Sequence, residues 1–310
     1  MTTTVDWVPR LRRAVIVVTS LVVPVLLAWA LAGSLAAFGV GVGAAISTAS
    51  AAAAGLPAAR LGAPAIVAAI VLGSLTAGTW GWIVVVTGFA VIAGAAGARD
   101  ATAPFLFAAV VSIIAPESVD VVSALWLGGF TAIGCIYGLA LARRSGTGDH
   151  VEPHRPELAP AAEALLLGVL GAITAAIALA VDDDQAYWIP MTAMIVAIPT
   201  ASGTTTRGRE RIIGTLTGAA VAIGIALVSP PQLVYAATAV LALILTLTTA
   251  GLAYRIQATF ITLFVLLAGG APRQDLVERR VVFTLVGAAV LTTGAVAITV
   301  IGRRTTDLDE

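Results

Sequence analysis

The sequence predicts an all-α, polytopic transmembrane helix bundle, about twelve helices arranged as two parallel six-helix repeats. Three observations predict it. The chain is 59% hydrophobic and 11% charged, with a mean hydropathy of +1.01, whereas a soluble domain carries about a quarter charged residues. Its apolar residues fall into runs close to the roughly 20 that cross a bilayer as a helix. Equivalent landmarks also recur roughly 150 residues apart along the chain. With 31 glycines and abundant alanine, its helices can approach closely, and in lipid such packing replaces the hydrophobic effect as the adhesive force.

The first helix is expected near 14–32, behind Arg10, Arg12 and Arg13. Its run is longer than the apolar core of a signal peptide and further spans follow, so it reads as a retained helix. The first half continues with helices near 36–54, 62–78, 81–97, 102–115 and 121–142. Residues 143–160, rich in proline, glycine and charge, form the one long polar segment and read as a linker. The second half gives helices near 161–181, 187–200, 211–228, 232–250, 254–270 and 279–302. The segment 187–200 is short and holds Pro190 and Pro199. It is expected to be a broken or re-entrant helix, tolerable where protein or a water-filled cavity surrounds it. The halves are bounded as 1–142 and 161–304.

Orientation follows from arginine, because the 17 basic residues include no lysine. With the N-terminus inside, the cytoplasmic segments collect all but Arg273, Arg279 and Arg280, in keeping with the positive-inside rule. Both termini then lie in the cytoplasm. The repeat rests on Ala115-Pro116 and Ala271-Pro272, Arg99 and Arg255, Phe107 and Phe264, and Arg60 and Arg211. Even helix numbers in each half make the halves parallel. A second echo lies within the C-terminal half. Arg211-x-x-x-Thr215-x-x-Gly218 and Arg280-x-x-x-Thr284-x-x-Gly287 share one pattern. On a helix these positions lie on one face, and the two start from opposite sides of the membrane, as three-helix units related by inversion would.

The chemistry available is narrow. Cys135 is a lone thiol in an apolar run, and His150 and His154 sit in the linker. No metal site, cofactor site or nucleophile–base pair is expected, and the reading is not an enzyme. Zero net charge gives no pointer to nucleic acid. No acid sits mid-span, and Glu163, near a helix start, is the nearest proton-carrying group. Arg211 and Arg280, with Thr215 and Thr284, are candidate anion ligands. A topology anchor is the alternative for Arg207 and Arg209, and an ion pair with Asp275 or Glu278 is the alternative for Arg279 and Arg280. Tyr187 and Trp188, beside Pro190, read either as a stacking pair for substrate or as an interfacial belt, for which Trp80 and Trp82 are the counterparts in the first half. Arg255 and Gln257 are polar groups opening a helix, able to line a path or bond between helices. Asp182, Asp183 and Asp184 could hold a cation, though an exposed loop is the simpler reading. Gly39/Gly43, Gly134/Gly138 and Gly214/Gly218 are spaced for helix packing.

Tyr187, Trp188, Pro190, Thr192 and Pro199, followed by Arg211, Gly214, Thr215 and Gly218, resemble the hallmark of the FUSC family of fusaric-acid-resistance-like, aromatic-acid-exporter-type membrane proteins. The resemblance covers 161–302; over 1–142 it is degenerate, with Phe38 in place of Tyr-Trp. It implies efflux of aromatic or other organic anions across the cell membrane. A passive anion channel and a non-transporting scaffold for an envelope partner remain alternatives. The implied partners are an organic anion and the lipid bilayer, with a homo-oligomer also compatible.

Overall fold

Within a bilayer each segment must satisfy its own backbone hydrogen bonds, and these alanine-, valine- and leucine-rich runs do so as helices. The computed structural model describes residues 7–116, 120–147, 160–181, 183–197, 203–249, 252–268 and 270–306, with side chains at all of these except 204 and 295–306. Among the described residues the fold is all-α, with ten helices and no strand.

The first element, α1, spans Trp7–Thr76. It is not one straight rod: Gly33 and Gly55 both stand at φ 82° and interrupt the helical geometry, a conformation that costs glycine little and other residues much. Then come α2 (Trp80–Ala95), a 3₁₀ turn (Ala96–Arg99), α3 (Thr102–Ile114) and α4 (Val121–Ser145). The second half holds α5 (Pro160–Val181), α6 (Trp188–Ala197), α7 (Thr204–Leu227), α8 (Gln232–Thr248), α9 (Tyr254–Leu267) and α10 (Gln274–Thr306). The first element covers the three helices expected near 14–32, 36–54 and 62–78 and is broken at the two glycines.

Five helices, α1, α2 with its 3₁₀ extension, α4, α5 and α7, are long and apolar enough to cross a membrane. Apolar side chains such as Leu31, Val84, Ile136, Leu165 and Leu233 are exposed on the outside of the bundle, as lipid requires. The chain is a membrane protein. Its tight seams are made by glycine. A Cβ on Gly43 or Gly134 would meet backbone of the opposing helix, Thr131 and Val40 respectively, so α1 and α4 pack nearly backbone to backbone. Asp120 caps α4, accepting from the Val122 and Ser123 N–H groups at 2.9 and 3.0 Å. Gly146, at φ 64°, closes its other end.

In the C-terminal half, α7 packs against α9 and α10, and α10 against α6. The halves meet where α2 lies along α5 and α3 touches α6. Trp80 is 78% exposed, as a belt residue would be. Trp82 is not its partner there: it is buried and donates its indole N–H to the Ser112 carbonyl at 3.2 Å. His150, His154, Asp182 and Pro199 lie outside the described residues.

Candidate functional site

α6 is only ten residues long. Pro190 falls in its first turn, where a missing N–H costs nothing. This short helix leaves the interior of the C-terminal half to be filled by α7 and α10, and those helices bring arginine there. Arg211 is 0% exposed and Arg280 2% exposed. Among the described residues, none of the three guanidinium nitrogens of either arginine has a hydrogen-bond partner. Burying a guanidinium without an acid is costly, and arginine cannot escape by losing its proton.

The two arginines are neighbours. The charge of Arg211 and the phenol of Tyr187 both act on Arg280. Gly208 of α7 lies against Ala288 and Thr292 of α10, while the charge of Arg211, further along α7, is felt by Arg280, further back along α10. The two helices therefore run antiparallel. Both arginines are enclosed by protein, although each lies near one end of its helix.

Around them stand hydroxyls and rings. Thr215 and Thr284 lie one turn on from their arginines and are buried. Their hydroxyls, with those of Thr192 and Thr262, lack partners among the described residues. The Trp188 ring covers Arg280, with the guanidinium carbon 3.5 Å from its centroid. Tyr187, half-buried, packs beside Trp188 with centroids 5.2 Å apart. Trp188 donates its indole N–H to Gln185 at 3.3 Å. This pair is thus part of the interior rather than a belt.

The two arginine motifs seat alike. Gly218 of α7 packs against the Thr259 carbonyl and the Thr262 side chain of α9; Gly287 of α10 packs against the Ile189 carbonyl and the Thr192 side chain of α6. Each motif glycine thus meets a carbonyl and, three residues on, a buried threonine. The residue before each arginine reaches the start of the same short helix. Glu210 accepts from the Tyr254 N–H at 3.1 Å, at the head of α9. Arg279 pairs with Asp183, just ahead of α6, at 2.9 Å. The outer-loop acids expected for Arg279 and Arg280 are not their partners: Asp275 takes Arg273 at 2.8 Å instead. Asp183 also accepts from the Gln185 N–H at 2.8 Å, in the turn ahead of α6.

Arg207, expected as a topology anchor, is buried; it donates to the Ile195 carbonyl at 3.1 Å and lies over the Tyr254 ring at 4.4 Å. Arg209 and Arg255 are exposed and Gln257 is half-buried, so Arg255 stands apart from the interior pair. Sequence reasoning missed Thr192 as a site group, Thr262 and Glu210. Their signal was the match between α6 and α9, visible only once the seating of the glycines is known. Glu163 is half-buried on α5, its Oε2 beside Gly97 of the 3₁₀ turn. The first half holds no buried arginine among its described residues: Arg60 is exposed.

Residues 172–293 match the family described as fusaric acid resistance protein-like. No curated protein and no solved structure matches the chain. The matched segment contains Arg211 and Arg280, Thr192, Thr215, Thr262 and Thr284, and the short helices α6 and α9.

Proposed function

We propose, proceeding from the membership of residues 172–293 in the fusaric acid resistance protein-like family, that this chain exports organic anions, aromatic carboxylates among them, across the cell membrane. Arg211 and Arg280 hold the anion in transit, with Thr215 and Thr284 adding hydroxyl donors and Trp188 and Tyr187 offering ring faces. One observation carries this reading: two guanidinium groups buried in the same half with no hydrogen-bond partner among the described residues. Such a pair is stabilised by an anion that accepts charge-assisted hydrogen bonds. An open channel of this architecture would keep its arginines wet. The near-complete burial of both favours a carrier that closes over its ligand.

The finer architecture belongs to the same proposal. Residues 1–142 and 161–304 form parallel six-helix halves joined by a cytoplasmic linker at 143–160, with both termini in the cytoplasm. The breaks at Gly33 and Gly55 support it, since they divide α1 where three helices are expected. So does the seating of Gly62 on Pro104 of α3, which parallels Gly214 on Ala258 of α9.

The test is flux of labelled benzoate in proteoliposomes. Arg280→Gln is expected to lower it about tenfold or more, as loss of a charged hydrogen bond worth about 1.5–3 kcal/mol implies, and Arg211→Gln to lower it by less, with insertion unchanged in both. Wild-type flux in both variants overturns the assignment. No flux in the wild-type protein points to a scaffold.

A further inference from the structure

The interior contains two guanidinium groups without a hydrogen-bond partner among the described residues, and one monocarboxylate neutralises one of them. A single carboxylate could satisfy both only by bridging them, and the antiparallel register works against that. Gly208 lies against Ala288 and Thr292, so Arg211 is level with a point on α10 well past Thr284. Arg280 then lies about 8–10 Å away along the axis, at 1.5 Å per residue. The two oxygens of one carboxylate span only a fraction of that rise, so a single carboxylate is poorly shaped to bridge both arginines.

The two positions also differ in what covers them. The seating of Gly218 on Thr259 and Thr262, and of Gly287 on Ile189 and Thr192, sets the equivalence between α9 and α6 residue by residue. Under it, the counterpart of Trp188 is Ala258, and the counterpart of Tyr187 is Gln257. Arg280 therefore lies under an indole with a phenol beside it. Arg211 has at the equivalent place a methyl group, which is packed against Gly214, and no ring.

We infer that the interior holds two anion subsites rather than one: an aromatic carboxylate subsite at Arg280, walled by Trp188 and Tyr187, and a second subsite at Arg211, with Thr215 and Thr262, for a small ringless anion of the halide class. The inference rests on the organic-anion reading above and extends it. Each anion relieves the repulsion that the other's arginine exerts, so the two bind cooperatively rather than in competition.

The experiment is equilibrium binding of labelled benzoate to the whole chain in nanodiscs, with chloride titrated against isethionate at constant ionic strength. Chloride is expected to raise benzoate affinity about fivefold or more, within the usual range of site-to-site coupling. Arg211→Gln should bind benzoate with an affinity that chloride no longer changes, Arg211→Lys should keep the chloride effect, and Arg280→Gln should lose benzoate. Chloride that competes with benzoate, or leaves it unchanged, overturns the second subsite. So does loss of benzoate in Arg211→Gln equal to that in Arg280→Gln, provided that variant remains monodisperse. If the wild-type protein binds no benzoate at all, the aromatic-anion reading fails. Labelled chloride then decides the second subsite alone: retention by wild type and not by Arg211→Gln upholds it, and equal binding or none by either removes it.

Discussion

At the scale of single residues, the unusual feature is that arginine is used as interior material. A guanidinium taken out of water without an acid destabilises a fold, and replacing such a group by a neutral side chain of similar size is often neutral or stabilising. Arg211 and Arg280 meet that description, lacking partners at every guanidinium nitrogen among the described residues. In the absence of added anion, Arg211→Met is therefore expected to melt at the same temperature as wild type or higher. Benzoate with chloride should raise the melting temperature of wild type by more than that of the variant, because a ligand stabilises only the state that binds it. Thermal unfolding in nanodiscs checks both parts, and a large loss of stability without anion would show the arginine to be a structural strut. Both arginines were legible as candidates from the R-x-x-x-T-x-x-G echo. Their burial was not, because at either end of a helix a charge reads first as a solvated end or a topology marker. Arg207 shows the same ambiguity: its sequence context is that of an anchor, and its side chain bonds inside.

At the scale of elements, the two short helices decide the geometry of the site. α6 and α9 are each seated on a long neighbour by a glycine, Gly287 and Gly218. Adding a methyl at either position would press it onto a carbonyl of the short helix, and overpacking of this kind costs about 1–3 kcal/mol. Gly287→Ala and Gly218→Ala should each lower the melting temperature. Gly224→Ala, where nothing lies within 4 Å of the added carbon, should leave it unchanged or raise it, since alanine favours helix over glycine by about 1 kcal/mol. Equal effects at all three would show that close approach is not what those glycines provide. The glycine spacing was readable in the sequence, and so was the shortness of the segment that becomes α6. What could not be read was where α6 docks, because its partners are carbonyls and methyl groups that carry no pattern. Nor could the tightness of the breaks in the first element be read: Gly33 and Gly55 look like loop residues, and each interrupts the helix at a single position.

At the scale of the whole molecule, the membrane class follows from composition alone, while the internal symmetry does not. The echo that sets α7 against α10 is a short match along the chain. It gains meaning from the antiparallel packing and from the paired ties at the heads of α9 and α6, made by Glu210 and by Arg279 with Asp183. The uncompensated arginines also have a consequence for energetics. Two fixed positive charges inside a bilayer feel the transmembrane voltage, at about 2.3 kcal/mol per charge for each 100 mV traversed in full. A protein whose arginines are neutralised by anions moves little net charge, while one returning without them moves positive charge. An inside-negative voltage then draws the unloaded arginines toward the cytoplasmic face, where anions to be exported are met, and leaves the loaded form free to turn outward. Export by this protein would need no proton-carrying side chain in mid-span, and the sequence supplies none. In proteoliposomes carrying a potassium diffusion potential with valinomycin, benzoate efflux should rise as the interior is made more negative and stay flat when pH alone is varied. Efflux that follows the pH gradient and ignores voltage would assign the driving force elsewhere. If the chain exports anions as proposed, the resting potential of the cell is its battery, and two arginines are its electrodes.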